Sequence, residues 1–259
     1  MRLNKYLSDA GICSRREADR LIEAGRVEVD QVKAVPGMQV DDTCVIRIDG
    51  KEIEPEEKKV LLAFHKPKGV ECTTDPRVKN NVISYVNYPF RVYYAGRLDK
   101  DSQGLLLLTN RGDLANGMMK AGNFHEKEYE VTVDKPVTDQ FISRMSRGVP
   151  ILGTITRECR VRKTGERSFS IVLTQGLNRQ IRRMCEYLGY QVVTLKRVRI
   201  MNICLGDLPV GGLREIKGQE LELLEKTLKE KPSVREVFRG GKPVKNPGKY
   251  RTPGKKKKS

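Results

Sequence analysis

The sequence predicts an α+β protein: a small N-terminal module followed by a larger domain with a central, mostly antiparallel sheet flanked by helices. Apolar residues at helical spacing are interspersed with short runs in which polar and apolar residues alternate, a mixture typical of α+β folds. The chain has 259 residues, of which 38% are hydrophobic, so both parts have enough apolar side chains for a core. A charged segment with a proline, 51–58, separates them.

These breaks predict four segments: a module at 1–50, a linker at 51–58, a domain at 59–231 and a basic tail at 232–259. The tail contains ten lysines and arginines against one glutamate, so it carries +9 of the chain's net charge of +17. Its few apolar residues predict a disordered segment that attracts RNA by charge. A tail that only keeps the protein in solution is the alternative.

The composition narrows the class of protein. An excess of positive charge usually indicates a polyanionic partner, most often nucleic acid. No apolar run approaches the roughly 20 residues that span a bilayer, and the first residues lack the apolar core of a signal peptide. The six cysteines include no Cys-x-x-Cys pair, which gives a zinc site little support. We therefore expect a cytoplasmic protein that binds nucleic acid and no membrane.

The module at 1–50 has the pattern of two short helices followed by strands. Apolar residues recur at helical spacing in 3–10, and Ser14 and Glu17 form a predicted capping box for the second helix. Basic residues cluster on both helices and just beyond the second, where they can meet phosphates. They are Arg2, Lys5, Arg15, Arg16 and Arg26. Two ordinary amphipathic helices with solvated arginines fit this pattern equally well.

The larger domain opens with a strand at 60–64, which runs into a turn marked by Pro67 and Gly69. Lys66 and Lys68 lie in that turn. Either they contact RNA phosphates or the turn is a plain surface feature, and the residues themselves do not decide between the two.

The stretch 96–110 is the most informative part of the chain. Arg97, Asp99 and Asp101 are spaced by two, so in an extended backbone their side chains share one face. Gly104 interrupts this pattern, and the four leucines at 105–108 predict a buried strand. Charged groups at the end of a buried strand are costly unless they are paired or used. From spacing alone, a turn with solvated acids is the simpler interpretation.

Two later elements carry further candidate residues. A strand at 128–133 points Tyr129 into the core, where a tyrosine needs no special role. A helix is predicted with Asn178 as its N-cap and with its apolar face turned inward. Its geometry places Arg182 beside that face, able to reach a buried carboxylate, whereas Arg179 and Arg183 project outward and suit RNA phosphate.

The sequence Gly96-Arg97-Leu98-Asp99, followed by Asp101-Ser102 and Gly104-Leu105, resembles the catalytic-aspartate motif of RNA pseudouridine synthases. The branch it is most similar to is typified by RsuA, RluB, RluE and RluF. The turn at 66–69 resembles the opening of that family's catalytic domain, and the module resembles the S4 RNA-binding domain. The resemblance covers about residues 1–230. One departure is the loop at 29–33, where S4 domains usually carry an Asn-Gly turn.

The resemblance implies isomerisation of uridine to pseudouridine within RNA, by a monomer that needs no cofactor or metal. Asp99 would be the catalytic carboxylate, kept ionised by a bidentate pair with Arg182. Tyr129 would pack under the base, and Arg97 would occupy the space left by the flipped uridine. The branch implies ribosomal RNA, specifically 23S rRNA of the large subunit, and leaves transfer RNA open.

Two other functions fit parts of the sequence. A non-catalytic RNA-binding factor would use the module and the tail and would make no product. A nuclease would bind a metal through Asp99, Asp101 and Asp113, and would lose its activity on chelation.

Overall fold

We describe a computed structural model that covers residues 1–54, 58–119 and 124–230. The basic tail predicted at 232–259 and the centre of the predicted linker therefore lie outside the described residues. The N-terminal module has two helices, α1 (Leu3–Asp9) and α2 (Arg15–Glu23), packed on a four-stranded sheet. Its strands are β1 (Val27–Val29), β2 (Val32–Lys33), β3 (Ile46–Ile48) and β4 (Lys51–Glu52), in the order β2-β1-β3-β4.

The start of α2 is fixed by its cap. The Ser14 hydroxyl oxygen accepts a hydrogen bond from the backbone N–H of Glu17 at 3.1 Å, which confirms Ser14 as the N-cap. The Glu17 carboxylate, predicted to reach back to the cap, accepts instead from Arg20 at 3.1 Å. Ala18 and Ile22 on the inner face of α2 are buried against Leu3 and Leu7 of α1. The outer face of α2 keeps its arginines in solvent.

The turn between β1 and β2 keeps its shape without the usual glycine. Both central residues have positive φ, +50° at Asp30 and +70° at Gln31, as a two-residue hairpin of this kind requires. The Asp30 carboxylate stabilises the turn by accepting a hydrogen bond from the Val45 N–H at 2.9 Å. A glutamine side chain gives no comparable support in this left-handed conformation.

We expect Gln31→Gly to stabilise the module by about 0.5 kcal/mol, because relief of left-handed strain outweighs the larger entropy of glycine in the unfolded chain. Denaturant unfolding measures the change. The matched control is Lys33→Gly, two residues on in β2, where glycine should destabilise an extended strand. A Gln31→Gly protein that unfolds more easily than the wild type would contradict this interpretation.

The module is longer than predicted and contacts the larger domain. Lys51–Glu52, assigned to the linker from the sequence, pairs with β3 as the edge strand of the module. Arg91 of the larger domain donates a hydrogen bond to the Cys13 carbonyl oxygen, and Lys59 Nζ lies 3.4 Å from the Asp9 carbonyl oxygen. These contacts join the module directly to the larger domain.

The larger domain is built on a sheet of nine strands within the described residues, and one pair among them, β7 with β13, is parallel. The strands are β5 (Leu61–Lys66), β6 (Tyr93–Ala95), β7 (Gln103–Thr109), β8 (Lys127–Val133), β11 (Arg160–Gly165), β12 (Ser168–Leu173), β13 (Val192–Ile200), β14 (Ile203–Cys204) and β15 (Leu213–Glu215). The main order is β11-β12-β8-β13-β7-β5-β15, with β6 paired to β7 and β14 to β13. A separate hairpin joins β9 (Pro150–Ile151) and β10 (Thr154–Ile155). The predicted, mostly antiparallel sheet is confirmed.

Helices cover both faces of this sheet: α3 (Val82–Val86), α4 (Gly112–Met119), α5 (Asp139–Ser146), α6 (Gln180–Tyr187) and α7 (Gly218–Lys229). Alternate leucines of β7 enter different cores. Leu105 and Leu107 pack with α4 and α7, whereas Leu106 and Leu108 pack with α3 on the opposite face. Burial on both faces explains the continuous leucine run. No helix in the described part of the chain is long and apolar enough to cross a membrane.

Candidate active site

The aspartate motif lies in a loop, residues 96–102, that connects β6 to β7. Because β7 begins only at Gln103, the triplet is not extended: Arg97 is exposed, Leu98 is buried, and Asp99 and Asp101 are partly exposed. The Ser102 N–H donates to the Asp99 carbonyl oxygen at 3.1 Å and closes a turn. Asp99 therefore lies in the loop that leads into β7, a central strand that is buried from Gly104 to Thr109.

Asp99 lines a cavity of about 600 Å³ that opens to solvent. The cavity walls are the loop at 68–72, the aspartate loop and the side chain of Arg179. The two loops are joined by a 2.7 Å hydrogen bond from the Gly69 N–H to the Lys100 carbonyl oxygen. A carboxylate thus faces a cavity whose other charged groups are mostly cationic, which suits an anionic ligand with a reactive centre near Asp99.

The arginine that meets Asp99 is not the one predicted. Arg179 Nη1 lies 3.7 Å from Asp99 Oδ2, and the same guanidinium makes a bidentate pair with Asp101 at 3.2 Å. Arg182 contacts the Asp101 carboxylate at 3.4 Å and donates to the Asp101 carbonyl and the Ser102 hydroxyl oxygens. The predicted pair between Arg182 and Asp99 is therefore wrong.

The start of α6 explains this exchange of roles. The helix begins at Gln180, and its N-cap is Arg179, with φ +49°, not Asn178 as predicted. The left-handed conformation turns the Arg179 side chain back over the aspartate loop, where the prediction had it facing outward. The Arg183 guanidinium stays near its own loop and donates to the carbonyl and side-chain oxygens of Asn178.

The two arginines set the ionisation of Asp101. Burial raises the pKa of Asp101, but the hydrogen bond from Arg179 and the charges of Arg182 and Arg179 outweigh it, so the pKa lies below its ordinary value. A carboxyl whose pKa is lowered on folding stabilises the protein above its unfolded-state pKa of about 4. That stabilisation is lost as pH falls through the lower folded-state value.

We therefore expect Asp101→Asn to destabilise the protein at pH 7 and to match the wild type more closely near pH 2.5. Denaturant unfolding at the two pH values measures the difference. Because the Asp101 side chain is 39% exposed, salt should weaken the effect. Asp207→Asn, a change at an exposed loop aspartate, is the control. A destabilisation that is equal at both pH values would contradict the charge pairing.

Lys66 cannot contact RNA phosphate as predicted, because its side chain is fully buried. Its relative exposure is 0%, and Nζ donates to the carbonyl oxygens of Pro67 at 2.9 Å and Val70 at 2.7 Å. Burial lowers the pKa of Lys66, and the carboxylates of Asp101 and Asp99 oppose that shift. Of the two lysines in this turn, Lys66 is held inside and Lys68 is exposed, and Lys68 lines the cavity.

Tyr129 and Arg97 are placed differently relative to the aspartate loop. Tyr129 is half-buried and packs against the cluster that contains Leu98, the residue before Asp99. Its neighbour Glu128 points away and pairs with Arg199 at 2.9 Å. Arg97 lines the cavity and extends into solvent. Arg97 therefore borders the cavity directly, whereas Tyr129 is connected to the aspartate loop through its packing against the cluster that contains Leu98.

The basic residues predicted to bind RNA on the module fall into two groups. Arg2, Arg15 and Arg16 are exposed. Lys5 pairs with Asp9 at 2.6 Å, and Arg26 makes a two-pronged pair with Asp49. A phosphate that approaches the second group must compete with a carboxylate, so the first group is better placed for RNA.

The metal cluster required by a nuclease is not formed. Asp113 lies in α4 and pairs with Arg111 at 3.4 Å, whereas Asp99 and Asp101 face Arg179. Within 1–54, 58–119 and 124–230, no three or more His, Cys, Asp or Glu side chains are arranged to hold a metal ion.

Two residues at the site were missed from the sequence. Arg197 of β13 is buried, and it donates to the carbonyl oxygens of Leu105 and Arg97. Cys72 is buried against the other side of the aspartate loop. Both lie far along the chain from Asp99, and no local spacing marks either as part of a site.

The aspartate loop lines a cavity with several lysines and arginines, and the chain also carries an S4-like module. Together these features indicate an RNA-modifying enzyme. A family model described as RNA pseudouridylate synthase matches residues 60–187, and one described as S4 domain matches residues 1–43. The chain belongs to the RNA pseudouridine synthase family. It is 48% identical to the dual-specificity RNA pseudouridine synthase RluF of Escherichia coli (strain K12), with 100% of this chain and 97% of that protein covered.

More distant relatives agree with this assignment. The ribosomal large subunit pseudouridine synthase B of Bacillus subtilis (strain 168) is 32% identical, with 86% of this chain and 95% of that protein covered. The fold matches a crystal structure of a pseudouridylate synthase with a TM-score of 0.63 and 25% identity. That match covers 88% of this chain and 99% of the other. The predicted resemblance to the RsuA, RluB, RluE and RluF branch, with RluF the most similar in wording at 99–104 and 125–129, is confirmed at the level of the family.

Proposed function

We propose that this enzyme isomerises specific uridines in ribosomal RNA and that Asp99 is its catalytic carboxylate. One observation carries the proposal: Asp99 faces the open cavity, 3.7 Å from a guanidinium, on a loop anchored by the fully buried strand β7. A carboxylate held in this way is aimed into the cavity and reachable by a nucleoside.

The reaction breaks the bond from C1′ to N1 of uracil and forms a bond from C1′ to C5. The base must turn between these two steps, the C5 proton is lost, and N1 takes up a proton. No atom is added and none is removed overall, so the reaction needs no second substrate. The protein must supply a group that acts at the sugar. Asp99 fills this role either as a nucleophile at C1′ or as a base at C2′.

The neighbouring arginines keep the Asp101 carboxylate ionised and hold the loop. Arg179 supplies positive charge beside Asp99 and Asp101. Arg182 acts as a positioning residue, because it donates to the Asp101 carbonyl at 3.1 Å and the Ser102 hydroxyl at 3.2 Å. Fixed hydrogen-bond donors of this kind cost no rearrangement as the reaction proceeds.

The target uridine reaches the cavity by base flipping, since a base inside a stacked helix cannot present C1′ to Asp99. Arg97, exposed at the cavity mouth, fills the space that the base leaves. Tyr129 packs beside Leu98, supports the base from below and assists proton transfer at C5. Unstacking costs a few kcal/mol, which the RNA contacts must offset.

The RNA is held by the exposed basic residues of the module and the cavity rim. The relative in Bacillus subtilis is named for the ribosomal large subunit, so we propose 23S rRNA as the substrate. The relative in Escherichia coli is named for dual specificity, and transfer RNA is our candidate for a second substrate. We propose that the enzyme acts as a monomer in the cytoplasm.

The substrate class is tested with RNA transcripts that carry tritium at C5 of uridine, because isomerisation releases that hydrogen to water. Transcripts of large-subunit RNA, small-subunit RNA and a transfer RNA pool are incubated with the enzyme in EDTA. We expect release from large-subunit RNA, with transfer RNA as the second substrate to look for. Release from small-subunit RNA alone would contradict the proposed specificity.

A further inference from the structure

The peptide unit between Arg97 and Leu98 is held at both of its polar atoms. Its carbonyl oxygen, on Arg97, accepts a hydrogen bond from Arg197 Nη1 at 3.3 Å. Its N–H, on Leu98, donates to the Cys72 sulfur at 3.5 Å. Arg197 comes from β13 and Cys72 from the loop after β5, so two separate parts of the domain hold one peptide plane.

Arg197 is poorly explained as an ordinary structural residue. Its relative exposure is 2%, and within the described residues it forms no ion pair. Nε donates to the Leu105 carbonyl oxygen at 2.7 Å, while Nη2 is buried without a hydrogen-bond partner. A buried charge without a carboxylate is costly, so a residue that only filled space here would be better apolar.

The fork of the guanidinium accounts for the choice of arginine. Nε and Nη1 reach two carbonyl oxygens at once, at Leu105 and at Arg97, on either side of Asp99 in the chain. Lysine has a single nitrogen and cannot copy this geometry. Arg197 therefore connects the aspartate loop to the beginning of strand β7.

Cys72 completes the hold with a neutral acceptor. Burial raises the pKa of its thiol, so the sulfur stays uncharged at neutral pH and puts no repelling charge beside the peptide that precedes Asp99. Cys72 also lines the cavity wall. The same wall holds the far side of Asp99, where the Gly69 N–H donates to the Lys100 carbonyl oxygen at 2.7 Å.

We propose that Arg197 and Cys72 are positioning residues that clamp the 97–98 peptide and so orient both Asp99 and the Arg97 side chain. This inference rests on the proposed role of Asp99. Rotation of that peptide plane would move Asp99 at the sugar and Arg97 at the vacated base position together. The clamp thus couples catalysis to base flipping, and its loss should slow the reaction more than it weakens RNA binding.

The clamp is tested with Cys72→Ala, Cys72→Ser and Arg197→Lys in the full-length enzyme. Single-turnover rates come from tritium release, and RNA affinities from filter binding. We expect Cys72→Ala to lower the rate about tenfold with little change in Kd, and Cys72→Ser to recover part of it because a hydroxyl oxygen accepts the same N–H. Arg197→Lys should lower the rate further.

A second measurement does not depend on activity. Hydrogen exchange in the segment that contains Leu98 should be slow in the wild type and faster in Cys72→Ala. If the wild type made no pseudouridine, the proposed function would fail, and exchange would still decide whether the clamp exists.

Matched controls are Cys159→Ala, which also removes a sulfur hydrogen bond to backbone, at Met145, and Arg199→Lys on the same strand as Arg197. Both should leave the rate and the exchange near Leu98 unchanged. Unchanged exchange in Cys72→Ala, or wild-type rates in both Cys72→Ala and Arg197→Lys, would overturn the clamp.

Discussion

Asp99→Asn should lower the rate of pseudouridine formation at least about 10⁴-fold while RNA affinity stays near the wild-type value. Asparagine keeps the shape of the side chain but cannot ionise, so it can neither attack the sugar nor remove its proton. The fold should survive, because the Asp99 side chain is 32% exposed and the loop is held mainly through its backbone. Single-turnover tritium release and filter binding measure the two quantities.

The matched control is Asp113→Asn. This aspartate lies in the first turn of α4, is 71% exposed, and pairs with Arg111 outside the cavity. It should keep full activity. If Asp99→Asn were active and Asp113→Asn were not, the assignment of the catalytic carboxylate would be wrong.

Gly104→Ala should lower the free energy of unfolding by roughly 3 kcal/mol or more. Gly104 has φ +114°, which side chains rarely adopt, and it sits in β7 opposite Arg197 in the parallel pair. A Cβ atom there would lie 2.3 Å from the Arg197 carbonyl oxygen and 2.5 Å from its nitrogen. Backbone cannot move aside as a flexible side chain can, so β7 and β13 would have to separate.

Denaturant unfolding tests this prediction, with Gly165→Ala as the control in the same sheet. At Gly165 an added Cβ would meet ordinary contacts with Ser168 at 3.7 Å. The control should change stability by less than about 1 kcal/mol. Equal stability of the two variants would contradict the close approach of β7 and β13 described here.

The sequence predicted the framework of the site because its signals are local. The leucines at 105–108 indicated a buried strand, and the structure buries them on both faces. Ser14 and Glu17 marked the start of α2. The aspartate motif was located from its amino-acid sequence, although its backbone forms a loop and not the extended strand considered from the spacing.

The details of the site depend on geometry that spacing does not contain. The left-handed conformation of Arg179 moved the start of α6 by one residue, and this exchanged the positions expected for Arg179 and Arg182. Lys66 was predicted at the surface because it is a lysine. It is fully buried instead, because the carbonyl oxygens of its own turn accept hydrogen bonds from its ammonium group. Arg197 joins the site through strand register, a long-range property.

The central claim is that Asp99 in this cavity isomerises uridine within ribosomal RNA. Its most direct test is to incubate the enzyme, without added metal, with undermodified total RNA and to map pseudouridine by carbodiimide-dependent stops in primer extension. We expect the wild type to produce a new stop at a uridine of large-subunit RNA and Asp99→Asn to produce none. The same stop with both proteins, or tight RNA binding by the wild type without any new stop, would contradict the account.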